Sequence, residues 1–353
     1  MSDRSSPSLL RLRLRKFRRL RRGYYSFLIL IGFYALTMFN ALLISNKALI
    51  VQYGGHYYFP VFSYHEGTRF GQTEVRGKRH YGETDYRALK DQFASEAEGN
   101  WVLLTPYPYS PNESLLYLPG SPPHGPSQRH WFGTDDRGRD ILARLVYGFR
   151  ISMNFALFVT ILSYLSGTLC GAALGFFGGR LDIYGQRLIE VWASVPFLYT
   201  VIILSSMFRP NFYFLACLLT LFGWMGISFY VRGEFYREKA KDYVAAARSI
   251  GERDRAIMLR YILPNALTPI ISFAPFAIVG NITALVALDY LGFGLPAPTP
   301  SWGELIHQGR EHIFAWHLVV FPLLAMFLTL QLTVFIGEAL REAFDPKVFS
   351  RLR

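Results

Sequence analysis

Hydrophobic and polar positions are sharply segregated along the chain. Six stretches hold no Asp, Glu, Lys or Arg: 24–46, 151–179, 191–208, 210–231, 261–288 and 313–337, the last with His317 as its only ionisable group. About 20 mostly apolar residues carry a helix across ~30 Å of hydrocarbon. Each stretch meets or nearly meets that length, whereas soluble core helices rarely stay apolar for more than about 14 residues. The pattern predicts an all-α integral membrane protein with six transmembrane helices. The first run is longer than the apolar core of a cleaved secretory signal and no small-x-small site follows it, so it reads as an uncleaved anchor.

The polar intervals divide the rest. Residues 1–23 form a basic N-terminus, 24–46 the first span, and 47–149 a large insertion. A five-helix core follows over 150–340, with a charged loop at 232–266, and 341–353 form a tail. The insertion is rich in Tyr and Trp, and Pro106, Pro108, Pro111, Pro119, Pro122, Pro123 and Pro126 punctuate its second half. Short strands are expected near 49–53 and 57–62, with loop or extended chain beyond. In the charged loop, Asp242 is placed to cap a helix over 243–250 and Gly251 to close it. A second short helix is expected over 254–262, ended by Pro264.

Charge adds orientation. Lys+Arg number 37 against 25 Asp+Glu, a formal charge of +12, while the mean hydropathy of +0.20 averages very different stretches and decides little. Nine Lys/Arg precede residue 24, eight lie in 232–260 and four follow Glu338. Cytoplasmic flanks collect such charge, so both termini and the 232–266 loop are expected inside and 47–149 outside. The N-terminal arginines abut a span, which favours an anionic lipid leaflet over nucleic acid as their partner.

Candidate chemistry is sparse. There is no phosphate loop, no H-E-x-x-H and no G-x-S-x-G. Leu165-Ser166-Gly167 echoes an ATPase signature but sits inside a predicted span. His307, His312 and His317 recur at a spacing that does not share a helical face, so no metal site is expected. Cys170 and Cys217 are too few for a disulfide framework. Gly133–Asp140 reads as a structural turn, and Glu190 and Asp289 sit near span ends.

Ala245-Ala-Ala-Arg-Ser-Ile-Gly251 followed by Leu263-Pro264 resembles the "EAA" coupling loop of importer-type ABC transporter permeases, with Ala245 where that family usually has Glu. Phe132–Asp140 with Tyr147–Ser152, Leu288–Gly303 and Gly337–Pro346 resemble the C-type subunit of the oligopeptide/dipeptide permeases. The insertion, with Tyr57-Tyr-Phe-Pro60, is similar to the Yej-type subgroup, importers of peptides and peptide antibiotics. The resemblance implies a bacterial inner-membrane subunit with the importer-type permease fold and no catalysis of its own. Its partners would be a homologous permease, ABC ATPase subunits that bind ATP and Mg, and an extracytoplasmic peptide-binding protein. Asp242, Tyr243, Ala245, Ala246, Ala247, Arg248, Gly251 and Pro264 would couple to the ATPase. Pro196, Pro269, Pro275 and Asn281, in predicted spans, are expected along the translocation path. Nickel or another small solute is the alternative cargo, and a membrane-anchored receptor or adaptor the alternative class.

Overall fold

The structure, a computed structural model, describes residues 9–79, 81–96 and 99–344. In chain order these form α1 (Leu9–Arg19), α2 (Arg21–Met38), α3 (Asn40–Leu43), β1 (Ala48–Tyr53), β2 (His56–Tyr58), β3 (Glu74–Val75), β4 (Lys78–Arg79), α4 (Tyr86–Glu96) and β5 (Trp101–Leu104). Then follow α5 (Ile141–Phe177), α6 (Gly179–Ala193), α7 (Phe197–Met207), α8 (Phe212–Lys239), α9 (Asp242–Ser249), α10 (Asp254–Ala256), a π-helical turn Ile257–Ile262, α11 (Leu263–Tyr290), α12 (Trp302–Glu311) and α13 (His317–Phe344). Two compact units result: 1–31 with 152–296 and 326–353, and 32–151 with 297–325.

Among the described residues, four helices are long and apolar enough to cross a membrane: 141–177, 212–239, 254–290 and 317–344. The pair α6–α7 makes a fifth if its two halves, bent by 67°, are one span. The expected sixth does not meet that measure. Its helix α2 begins at Arg21 and Arg22 and breaks at Phe39, so the charge-free run is longer than the helix it supports. Leu28, Ile29, Ile31, Phe33 and Leu36 nevertheless stand exposed along it.

In the first unit, α5 lies against α8 on a ladder of glycines. A Cβ on Gly167 would stand 2.4 Å from the Trp224 carbonyl oxygen, on Gly171 2.4 Å from that of Ser228, and on Gly175 2.6 Å from that of Arg232. Glycine at every fourth residue keeps one face of α5 bare, so two backbones approach closely; such packing stands in for the hydrophobic force that lipid does not supply. Phe155, Val159, Val201, Leu215, Leu219, Leu285 and Leu288 form a buried cluster of the same unit. Pro196 stands at the α6–α7 break, while α11 runs on through the buried Pro269 and Pro275.

The second unit corrects the all-α expectation. Residues 48–104 contain an antiparallel sheet of order β2-β1-β5, packed on α4. Gly54 and Gly55, at φ +57° and +81°, join β1 to β2, the positive-φ pair that a two-residue hairpin turn requires. The Asp85 carboxylate accepts the Arg87 and Ala88 N–H groups at 3.2 and 3.1 Å and starts α4. Val51, Phe70, Tyr86, Leu89, Phe93 and Val102 make a core belonging to this segment alone. The two predicted strands are found; β5 and α4 are additions. The insertion also ends earlier than residue 149, because α5 starts at Ile141. Asp140 begins that helix by accepting the Ala143 N–H at 3.0 Å.

Candidate functional site

The charged loop is the region to which sequence assigns function. The Glu238 side chain, 2% exposed, sits at the end of α8. It accepts the Lys241 ammonium at 2.7 Å and the Tyr243 hydroxyl at 2.8 Å. A carboxylate buried this deeply is tolerable only when such partners replace its water. Burial and the bond to Glu238 push the Tyr243 hydroxyl up to about 12, so it remains a donor. Asn265 of α11 donates to the same hydroxyl at 3.4 Å. Val244 and Ala247 turn inward onto Phe176, Ile257 and Ile262. The Arg248 guanidinium lies over the Phe176 ring at 5.6 Å, and Lys239 donates to the Phe176 carbonyl. One face of α9 is thus fixed to the ends of α5 and α8 and to the start of α11.

The opposite face is open. Asp242, Ala245, Ala246, Arg248, Ser249 and Ile250 are exposed, and Ile250 reaches 75%. The C-terminus closes as a Schellman motif: Gly251 N–H bonds the Arg248 carbonyl at 3.0 Å and Glu252 N–H that of Ala247 at 3.1 Å, with Gly251 at φ +83°. Beyond it, Gly251, Glu252, Arg253, Arg255, Leu259 and Arg260 line an open depression. A short rigid helix held from beneath and bare above can transmit displacement to the helices beneath it.

The expected residues therefore divide. Asp242, Ala245, Ala246 and Gly251 are open, Arg248 is exposed but reaches over the Phe176 ring of the anchor, and Tyr243 and Ala247 belong to the anchor. Asp242 is not the cap: it is the first helical residue, and Lys241 precedes it with no side-chain cap bond. Pro264 does not end the segment either. The chain continues from Asp254 to Tyr290, and the Leu263 N–H bonds the Met258 carbonyl five residues back. That wider turn precedes the missing N–H of proline, so the helix passes through it. Glu238, which anchors α9, and the packing ladder Gly167, Gly171, Gly175 are structural positions that sequence reasoning missed. The spacing of the glycines was a legible signal; the burial of Glu238 was not.

Of the expected path residues, Asn281 donates to Thr160 Oγ1 at 2.9 Å, tying α11 to α5. Pro196, Pro269 and Pro275 lie at the positions described above and form no shared cluster. Glu190 pairs with Arg187 at 2.7 Å, and Asp289 accepts the Leu295 N–H at 2.7 Å as part of a turn.

In the second unit, Asp135 and Arg139 of the 132–140 segment join Arg144 and Glu304, which lie just outside the segments that carry the family resemblance, in a buried ion network. Asp135 accepts Arg139 Nε at 2.6 Å, and Glu304 accepts Arg139 at 3.0 Å and also Arg144. Arg144, fully buried, donates to the Pro111 carbonyl at 3.1 Å. Burial opposes the charge of Arg139, but Asp135 and Glu304 outweigh it and hold its pKa above the ordinary value. The Trp302 indole donates to the Leu145 carbonyl at 3.0 Å and lies against Gly148. Two arginines and two carboxylates balance, which is a structural tie of α12 to the 133–140 turn and the start of α5.

Comparison with known proteins bears on both units. Residues 167–350 match the family model described as the binding-protein-dependent transport system inner membrane component. The inner membrane ABC transporter permease protein YejE of Escherichia coli K12 is 41% identical over 94% of this chain and 95% of its own. The peptidoglycan transport system permease protein YejE of Agrobacterium fabrum is 36% identical over 97% of this chain and 94% of its own. The dipeptide transport system permease protein DppC of Bacillus subtilis is 35% identical over 63% of this chain and 70% of its own.

Proposed function

The chain belongs to the family of binding-protein-dependent transport system inner membrane components, and on that premise we propose that it is the permease subunit through which an ABC importer moves peptides. It is a multi-pass inner-membrane protein. Peptide cargo is supported by relatives named for dipeptide and peptidoglycan transport. A second, homologous permease completes the pathway, a peptide-binding protein delivers cargo from outside, and ATPase subunits bind ATP and Mg. Both termini and α9 lie in the cytoplasm and 47–140 in the periplasm, with α2 as the sixth span. The distribution of Lys and Arg supports that orientation.

The observation that carries the mechanism is the two-sided α9. Its open face, with Ala245 and Ala246, admits close approach by the ATPase. Its inner face, through Tyr243, Val244 and Ala247, passes the displacement to α8 and α11. ATP-driven closure of the ATPase then biases the permease between two global states by differential contact energy. Pro196, Pro269, Pro275 and Asn281 line the path, where the carbonyls that prolines leave unpaired supply polarity at membrane depth. Cysteine crosslinking in the assembled transporter tests this. Ala246→Cys should crosslink to the ATPase in a nucleotide-dependent way and the buried Ala247→Cys should not. Equal crosslinking from both, or none from Ala246→Cys, removes the assignment.

A further inference from the structure

We propose that α1 binds two things at once: the end of α13 with one face, and the anionic phospholipid headgroups of the membrane with the other. The first contact is formed in the structure. Phe17, 7% exposed, packs with Ala339, Ala343 and Phe344. The Arg13 guanidinium lies over the Phe344 ring at 4.9 Å, and Lys16 donates to the Glu342 carbonyl. The contact continues into α2, where a Cβ on Gly23 would fall 2.1 Å from that of Ala339 and 2.9 Å from the Phe335 carbonyl oxygen.

Because Phe17 and Leu20 are spent on protein, α1 does not lie in the membrane as an ordinary amphipathic helix, apolar side down. What remains outward is mainly charge, with Leu14 exposed among the arginines. Arg11, Arg15 and Arg18 recur on one stripe with Arg19, Arg21 and Arg22 beside them, all exposed and without an ion-pair partner among the described residues. No Asp or Glu occurs between Asp3 and Glu66, so the countercharge is not local in sequence. The chain then turns apolar at once. Exposed Leu28 and Ile29 follow Arg22 by about 9 Å of helix rise, which sets the arginines at headgroup depth if that stripe meets hydrocarbon. Guanidinium forks match phosphate oxygens, and an anionic leaflet supplies the net charge that zwitterionic lipid lacks. A nucleic acid matches the charge but gives no reason for the adjoining apolar stripe. By linkage, lipid bound to α1 in its docked position stabilises the contact with α13.

The test is made on the full chain in its assembled complex, in nanodiscs of phosphatidylcholine alone or with phosphatidylglycerol in both leaflets. Orientation and cargo therefore do not affect the result, and the proposal stands or falls separately from the transport reading. Bound phosphatidylglycerol is counted by native mass spectrometry and Tm is measured alongside. The wild type should retain phosphatidylglycerol and melt higher in its presence, with both effects fading at high salt. Arg11→Gln, Arg15→Gln, Arg18→Gln and Arg19→Gln together should weaken retention by roughly fivefold per arginine, while the four Arg→Lys changes keep most of it. Where the quadruple variant fails to insert, Arg15→Gln and Arg18→Gln singly should each show the smaller loss. Equal lipid retention and equal Tm shift in wild type and glutamine variants overturn the proposal. So does nuclease-sensitive material, in place of phosphatidylglycerol, that co-purifies with the wild type alone.

Discussion

At the scale of single residues, the positions that matter most are polar groups out of reach of water. Glu238 holds Lys241 and Tyr243, so Glu238→Ala leaves a buried hydroxyl without its acceptor and frees α9 from α8. The expected outcome is an ATPase that still turns over while transport per ATP falls; Glu238→Gln, which still accepts from Tyr243, should recover part of the coupling. Reconstituted vesicles that report hydrolysis and uptake together measure it. Arg144 is fully buried and shares Asp135 and Glu304 with Arg139. Arg144→Ala leaves Asp135 and Glu304 with Arg139 alone, one countercharge short, and should cost about 3–5 kcal/mol, read as loss of thermal stability in detergent, whereas apolar side chains replacing all the charges together should cost much less. Gly251 has open space around it but a positive φ, so Gly251→Ala is opposed by backbone strain alone, about 1–2 kcal/mol. Its effect should appear as faster amide exchange at the end of α9.

At the scale of elements, packing between α5 and α8 depends on the bare face of α5. The atoms that a Cβ on Gly171 would strike are backbone of Ser228 and Arg232, which do not rotate aside. Gly171→Leu should therefore part the two helices and block accumulation of folded protein in the membrane, with Gly167→Leu and Gly175→Leu behaving alike. The same substitution at Gly226, which has open space and no positive φ, is the control and should be tolerated. Fluorescence-detected size exclusion of the tagged chain separates these outcomes. Chain ends and starts follow a comparable logic. Asp85 and Asp140 start α4 and α5, and the Schellman turn ends α9, whereas Pro264 stops nothing because the π-helical turn ahead of it relieves the crowding.

At the scale of the whole molecule, the sheet of residues 48–104 is a module with its own core. Ser45 and Thr105, at its two ends, are joined by the bond from the Thr105 hydroxyl to the Ser45 carbonyl at 2.7 Å. Replacing residues 48–104 with a short Gly-Ser linker therefore spans a gap already closed. On the proposed reading that the module receives the delivered cargo, that chain is expected to insert and to bind the ATPase while uptake falls. Membrane fractionation, co-purification and uptake measure the three separately, and normal uptake would remove any role of the module in delivery. A cut from 60 to 110 is a poorer choice, since it takes β5 and α4 away and leaves the β1–β2 hairpin without its third strand and its helix.

The sequence by itself determined the membrane class, the core spans, the short helix closed by Gly251 and the strands at 48–53 and 56–58. Those features rest on local physics: charge-free length sets a span, and the Gly251 turn sets a helix end. It did not determine which face of α9 is open, because Tyr243 and Ala247 differ from Asp242 and Ala246 only in what lies beneath them. It did not reveal Glu238 as an anchor, since the partners that make a buried carboxylate tolerable come from α9 and are recognised only when α8 and α9 meet. The charge-free run 24–46 overstated its helix, because absence of charge permits a span without requiring one. The expectation of loop or extended chain beyond residue 62 failed at α4 and β5, whose patterns are weak until β1 gives β5 its partner and Phe70 and Phe93 close the core. Tertiary structure decided these points, for burial and pairing between distant segments are properties of the folded chain and of no local window.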